Sequence, residues 1–275
     1  VNPTGLTKID LRYTSDMIEY ATLLVETLPE GPVLCRINRP EKRNALNRTM
    51  TNEIRALLET LASQDPAPTI IFAGNDKSFV SGADIFELRQ RRKADALEKI
   101  NAGLFYEIET FPSPTIAAIQ GWALGGGCEL AMACDLRVLG KSARIGQPEV
   151  SLGIIPGAGG CFRLPELVGI GKAREMIYTG MILDAAEAMR IGWANQLVED
   201  AAVIATATGL ATTIMGNSAI AVRHAKKLIN EGRSFDRKAT MELEAQSQAI
   251  LFEHPDKYQR MTDFLEKRKR QTHSQ

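Results

Sequence analysis

Up to about residue 200 the apolar residues gather in short runs separated by Gly, Pro and polar stretches; beyond it they recur at helical spacing. Residues 21–28 and 31–38 read as two strands joined through Pro29, Glu30 and Gly31, and so as a hairpin. A polar loop over 39–46 follows. Asn47 has the side chain and position of a helix cap, and Ile54, Leu57, Leu58 and Leu61 put one apolar face on a helix over 49–63. Residues 69–73 read as a short buried strand and 79–85 as a second extended segment. The charged stretch 89–99 reads as a polar helix with a solvated face. A helix over 102–110 leads through Pro112 and Pro114 into a buried strand over 115–120.

Gly125, Gly126 and Gly127 then make a tight turn, and a helix apolar on almost every side follows from Leu130. Glycines here let the backbone turn sharply and let a ligand approach it. The helix start behind them offers unpaired amides and a positive dipole end, the raw material of an anion or oxyanion site. Apolar segments continue at 136–139, 143–145, 164–167 and 172–179, ending in a helix at 185–191 and a strand at 196–198. Strands alternating with helices predict an α/β layered fold. The expected organisation is a loose extension over 1–20, an α/β core over 21–200 and a helical region over 201–275. Helices at 202–215, 218–231, 235–252 and 255–269 need a partner surface for their apolar faces, either the core or another subunit.

Composition narrows the function. The 275 residues carry no net charge and are 44% hydrophobic, which gives no support to nucleic-acid binding. No apolar run approaches the roughly 20 residues that span a bilayer. The first 20 residues lack the pattern of a secretory or transit peptide, so a cytoplasmic location is expected. The chain begins with Val, and an upstream segment directing it to the mitochondrial matrix is compatible with that. Cys35, Cys128, Cys134 and Cys161 lie in apolar segments without metal-site spacing and read as buried free thiols. Three histidines confined to the C-terminal quarter make a zinc site improbable, and no metal is expected. The basic run 267–270 reads as a solvated helix end.

Two acids stand out. Glu129 falls in the first turn behind the glycines, where an acid ordinarily compensates the helix dipole. Its neighbours Cys128, Leu130 and Met132 point instead to a carboxyl in an apolar surround, where acid/base work becomes accessible. Glu149, between Pro148 and Val150, reads as either a surface cap or a second such group. The two together favour the chemical reading.

The segments that carry these residues resemble the enoyl-CoA hydratase/isomerase (crotonase) family. They are Arg39-Pro40 with Asn44-Ala45-Leu46, Ser81-Gly82-Ala83-Asp84, the run 114–135, Gly146-Gln147-Pro148-Glu149, and Gly153 to Gly160. The resemblance covers roughly residues 21–270. It implies a spiral of ββα units with a C-terminal helical trimerisation region, and a homotrimer or a hexamer built from two trimers. It also implies an acyl-CoA thioester substrate, with CoA as part of that substrate and no separate cofactor. Mapped onto this chain, the backbone amides of Ala83 and Gly126 form the oxyanion hole. Glu129 deprotonates water for attack at C3 of a 2-enoyl-CoA, and Glu149 delivers the proton to C2, giving a 3-hydroxyacyl-CoA.

Substrate contacts implied in the same way are Arg43, Ala45, Lys77, Ser81, Gly82, Asp84, Gly125, Gly153 and Phe162. For Arg43 and Lys77 a solvated loop charge is an equal reading. Lys226 and Lys227 read as a solvated helix face rather than phosphate ligands, and His224 is assigned no role. The chain departs from close hydratase relatives at Cys161-Phe162, where they carry Thr-Gln, which places apolar groups near the acyl region. An isomerase, which needs one base and no activated water, is the alternative, followed by a non-catalytic binding subunit. Retention of both glutamates favours hydration.

Overall fold

The structure, a computed structural model, describes residues 20–272, so the extension expected over 1–20 lies outside the described residues except for Tyr20. β1 (Leu23–Thr27) and β2 (Val33–Ile37) form the expected hairpin, with Leu23 opposite Ile37. α1 (Arg48–Ala62) starts at Asn47, whose side chain accepts the Met50 amide at 2.9 Å. β3 (Ile70–Ala73), β4 (Ser78–Val80), α2 (Ile85–Gln90), α3 (Lys93–Leu97) and α4 (Ile100–Glu109) follow. Next come β5 (Thr115–Ile119), β6 (Trp122–Leu124), α5 (Gly126–Ala133), β7 (Leu136–Gly140), β8 (Arg144–Gly146), α6 (Gly160–Val168) and α7 (Ile170–Thr179). β9 (Ile182–Asp184), α8 (Ala185–Arg190), β10 (Gln196–Val198) and α9 (Val203–Met215) complete the α/β part.

The strands form a six-stranded sheet, β1-β2-β3-β5-β7-β10, and a four-stranded sheet, β4-β6-β8-β9. From β3 to β8 each successive pair sends its first strand to the larger sheet and its second to the smaller, so the chain advances as the spiral of ββα units expected; the last pair reverses the order, with β9 in the smaller sheet and β10 in the larger. Beyond the hairpin the larger sheet is parallel, and both its faces are buried. Cys35, Phe72, Ala117 and Leu139 join the cluster containing the apolar faces of α1, α4 and α5. The residues one step back, Leu34, Ile71, Ile116 and Val138, join Val203, Ala207 and Ala211 of α9. α9 therefore belongs with the sheet, although its sequence placed it in the C-terminal helical region. The first compact unit ends at Ile214 and the second begins at Met215.

Other details differ from the sequence reading. The polar helix over 89–99 is two short helices, because Arg91 and Arg92 are extended and the Arg92 amide donates to Asp95 at 2.7 Å, starting α3 afresh. The helix behind the glycines begins at Gly126 rather than Leu130, and all eight of its residues are buried. β6 and β9 have only three residues each, too few to show a period. Cys35, Cys128 and Cys134 are buried free thiols, whereas Cys161 is exposed.

In the second unit, α10 (Ala219–Gly232), α11 (Arg237–Glu253) and α12 (Pro255–Thr272) follow one another, with Asp236 capping α11 through the Lys238 and Ala239 amides. Lys226 is buried rather than solvated, and Lys227 is exposed. Among the described residues no single helix is long and apolar enough to cross a membrane.

Gly127 sets how closely α5 approaches β4. A methyl group on its Cα would lie 2.0 Å from the Val80 carbonyl oxygen, a backbone atom that has no rotamer to yield. Gly127→Ala is expected to push α5 off the sheet and cost at least the roughly 1–3 kcal/mol of an overpacked core. Asn47→Ala, which removes one helix cap, is expected to cost about 1 kcal/mol. Urea denaturation of the two variants checks the order; equal losses would mean the α5–β4 contact tolerates a side chain.

Candidate active site

Three parallel strands of the smaller sheet bring the chemistry together. β4 pairs with β6 and β6 with β8, so their C-terminal ends lie side by side. Residues 81–84 leave β4, Gly125 and α5 leave β6, and Glu149 follows β8 by three residues. All of these segments line one cavity of about 1010 Å³.

The 81–84 turn is tied down by the loop before α1. The Asn44 amide donates to the Ser78 carbonyl at 2.9 Å, and Ser78 Oγ donates to the Arg43 carbonyl at 2.9 Å. Leu46 N donates to Gly82 O at 2.8 Å and Asp84 N to Leu46 O at 2.7 Å. Because that bridge uses the residues on either side of Ala83, the Ala83 amide points away from Leu46. A methyl group at Gly126 would stand 3.8 Å from the Ala83 nitrogen, which places the two residues side by side. Gly126 is the first residue of α5, so its amide has no partner within the helix. Asp84 is occupied structurally: it accepts from Arg39 at 3.2 Å and from the Phe86 amide at 3.0 Å. Burial pushes its carboxyl up, but those hydrogen bonds outweigh burial and hold it below the usual carboxylate range.

Glu129 projects from the first turn of α5 and is only 3% exposed. Its Oε1 accepts the Ala158 amide at 2.7 Å and the Gly160 amide at 2.8 Å. Burial raises its affinity for a proton; the two amides and the Arg163 guanidinium oppose that without cancelling it. Glu149 opens a 3-10 turn that ends at Gly153, whose φ of 73° suits glycine. A methyl group at Gly125 would sit 3.0 Å from Glu149 Oε1, so the glycine leaves room for the carboxyl. Burial, helped by the charge of Glu129, pushes Glu149 up to about 7, against a hydrogen bond from its own backbone. Gln147, fully buried, lies against it. With its carboxamide turned to satisfy the site, the NH2 is 2.9 Å and 3.0 Å from the two Glu149 oxygens.

Of the residues singled out from sequence, Ala45, Ser81, Gly82, Ala83, Asp84, Gly125, Gly126, Glu129, Glu149 and Gly153 line the cavity. Arg43, Lys77 and Phe162 do not. The side chains of Arg43 and Lys77 are exposed, and both residues serve through their carbonyls, Arg43 for Ser81 N at 3.3 Å and Lys77 for Trp122 N at 3.2 Å. Phe162 is exposed, with its ring centre 4.8 Å from the Arg163 guanidinium carbon. The cations that do line the cavity are Lys42, Arg91, Arg92 and Lys99, alongside Asp95. Three of these four cations come from the run read as a solvated helix face; its excess of positive charge just after the Ser81–Asp84 turn was the available signal. Gln147 had only its place in the Gly-Gln-Pro-Glu motif to mark it. Among the described residues no group of three or more His, Cys, Asp or Glu side chains is placed to hold a metal ion.

Comparison with known proteins identifies the family. A model of the enoyl-CoA hydratase/isomerase family matches residues 29–275. The chain is 42% identical over 254 residues to a crotonyl-CoA hydratase of Syntrophomonas wolfei, covering 91% of this chain and 97% of that one. It is 40% identical over 244 residues to a short-chain-enoyl-CoA hydratase of Clostridium acetobutylicum, covering 87% and 94%. Among solved structures, an enoyl-CoA hydratase from Bacillus anthracis superposes with a TM-score of 0.85 at 34% identity, covering 90% of this chain and 96% of that one.

The state of Glu149 can be read without any turnover. Its carboxyl binds a proton more tightly in the folded chain, about 7, than at its ordinary value of 4.5. The folded state therefore holds more protons between those values, and the stability this group contributes is full below the lower one and lost as pH rises through the higher. Relative to Glu149→Gln, which has no such proton, the wild type should lose stability from about pH 4.5 to about pH 7 and run parallel above that. Urea midpoints across pH 4.5–8 test this; a constant difference would mean that Glu149 titrates like an ordinary carboxylate.

Proposed function

The chain belongs to the enoyl-CoA hydratase/isomerase family, and from that premise we propose that it adds water across the 2,3 double bond of a short 2-enoyl-CoA. The observation that carries this is the meeting, in one cavity, of two buried carboxyls and two adjacent backbone amides. The amides of Ala83 and Gly126 hold the thioester oxygen. Glu129, fixed by Ala158 and Gly160, takes a proton from water as the water oxygen bonds to C3. The π electrons move onto the thioester oxygen as an enolate, and the enolate collapses by taking at C2 the proton of Glu149. One water is consumed, one proton passes to Glu129 and one leaves Glu149, and exchange with solvent resets both. A carboxyl pushed up to about 7 is half protonated at neutral pH and suits the donor role.

The conjugated thioester already makes C3 electrophilic and takes up the charge as an enolate, so the reaction asks for no cofactor beyond the CoA of the substrate. Lys42, Arg91, Arg92 and Lys99 at the cavity supply positive charge for the CoA phosphates. The relatives' printed substrates, crotonyl-CoA and short-chain enoyl-CoA, support a short acyl group. α11 buries none of its residues and exposes Met241, Ile250 and Phe252, which supports assembly into a homotrimer or hexamer. Four free cysteines suit a reducing compartment, and we assign the chain to the cytoplasm.

Purified protein mixed with crotonyl-CoA should remove the conjugated enoyl-thioester absorbance and give a product heavier by one water. Absence of both changes would sink the proposal. Glu129→Gln and Glu149→Gln should each lower kcat by about 10²–10⁴-fold with the fold retained; near-normal turnover in either variant would remove that residue from the mechanism.

A further inference from the structure

The amides that grip Glu129 belong to a loop that is itself held from behind the site. Arg163, on α6, is 3% exposed. Its Nε is 3.0 Å from Glu109 Oε2, Nη2 bonds the same oxygen, and Nη1 donates to the Ala158 carbonyl at 3.0 Å. Ala158 thus faces two ways, its carbonyl on the guanidinium and its amide on the Glu129 carboxylate at 2.7 Å. Gly159 between them has a φ of 114°, and a methyl group there would lie 2.0 Å from Arg163 Nη1, so the loop wraps the guanidinium too closely for any side chain.

We propose that the pair formed by the buried Arg163 and the half-buried Glu109 is a positioning device that holds Glu129 ionised and ready to take a proton. The proposal rests on the reading of Glu129 as the base. Arg163 acts by fixing the loop that supplies both amides and by its own positive charge. Glu109, at the end of α4, acts in the opposite sense, because it neutralises the cation and leaves only a residual field at Glu129. Other titratable groups face Glu129 too: Cys128 on its own helix, Glu149 after β8, and Cys161 on α6. Burial of Cys128 and partial desolvation of Cys161, each reinforced by the two carboxylates, push both thiols up, so Glu149 and the Glu109–Arg163 pair remain as the charges that tune it.

The two members of the pair therefore predict shifts of opposite sign. Infrared titration of 13C-glutamate-labelled protein, taken as the difference between each form and the same form carrying Glu129→Gln, reads the Glu129 midpoint without turnover. Arg163→Met should raise that midpoint by roughly one pH unit, Glu109→Gln should lower it, and Arg163→Lys, which keeps the charge, should stay near wild type. If a lone buried charge unfolds a single variant, the double variant E109Q/R163M leaves none, and its midpoint should rise by less than that of R163M or, if R163M does not fold, lie above wild type. Shifts of the same sign in Arg163→Met and Glu109→Gln, or midpoints unchanged in both, overturn the proposal, as does a double variant that stays at wild type. In parallel, the acid limb of kcat/KM for crotonyl-CoA should follow the midpoint. Midpoints that shift while the limb stays fixed support the action of the pair on Glu129 and count against Glu129 as the base of the reaction.

Discussion

A carboxylate removed from water must be met by donors, and most of what is distinctive in this fold serves that requirement at Glu129. An unpaired buried charge is costly enough that the group would neutralise or the site would open. Here the donors are two backbone amides, Ala158 on the loop that leads into α6 and Gly160 at the first position of that helix. Backbone donors hold better than side chains because they have no rotamers to lose. Their position depends in turn on Arg163 behind them and on α5 lying close enough to β4 that only glycine fits at position 127. The second carboxyl then falls into a different environment without further design. Among the described residues, Gln147 and its own backbone are what meet Glu149, and burial dominates its titration.

That asymmetry sets the two carboxyls apart. Two acids in equal surroundings would compete for one proton, each weakening the other as an acid or a base. Here one is stabilised by two directed amides and a nearby guanidinium, and the other is left to desolvation and the repulsion of its neighbour. The same chemical group is thereby biased toward accepting a proton at one position and donating it at the other.

Much of this was legible in the sequence, for reasons that differ by residue. The hairpin, α1 and the strands of the larger sheet announced themselves by period and by caps such as Asn47, because buried elements of ordinary length leave a periodic trace. Glu129, Glu149, Ala83 and Gly126 were legible through motif, since tight turns allow few residue types. What escaped was set by distant partners. β6 and β9 are too short to carry a period and exist because β8 offers an edge on each side. Arg43 and Lys77, implied as contacts by the resemblance, do not line the cavity, and their carbonyls accept from Ser81 and Trp122 as those of any residue could. Arg91, Arg92 and Lys99 looked like solvent-facing charge, because no local pattern tells a charged segment that lines a cavity from one that faces open water. α9 carried the apolar face of any packed helix, and nothing in that face told whether the sheet or another surface would cover it.

The division of labour between the two sheets follows from the same physics. The central strands of the larger sheet are buried on both faces and mostly apolar, with the buried Arg137 held by the Trp193 and Cys134 carbonyls, and they serve as the frame. The smaller sheet has strands of three residues, and its parallel members end together. Short strands bury little, but their ends can be set at close spacing, with glycines at 82, 125 and 126 bringing the backbone itself to the ligand. A site built from strand ends on a rigid frame places amides and carboxyls by the register of a sheet rather than by flexible side chains. Register is fixed by the buried pattern of every strand at once. The position of the amide at Ala83 is thus decided as much by Phe72 and Ile116 in the larger sheet as by any residue that touches the cavity.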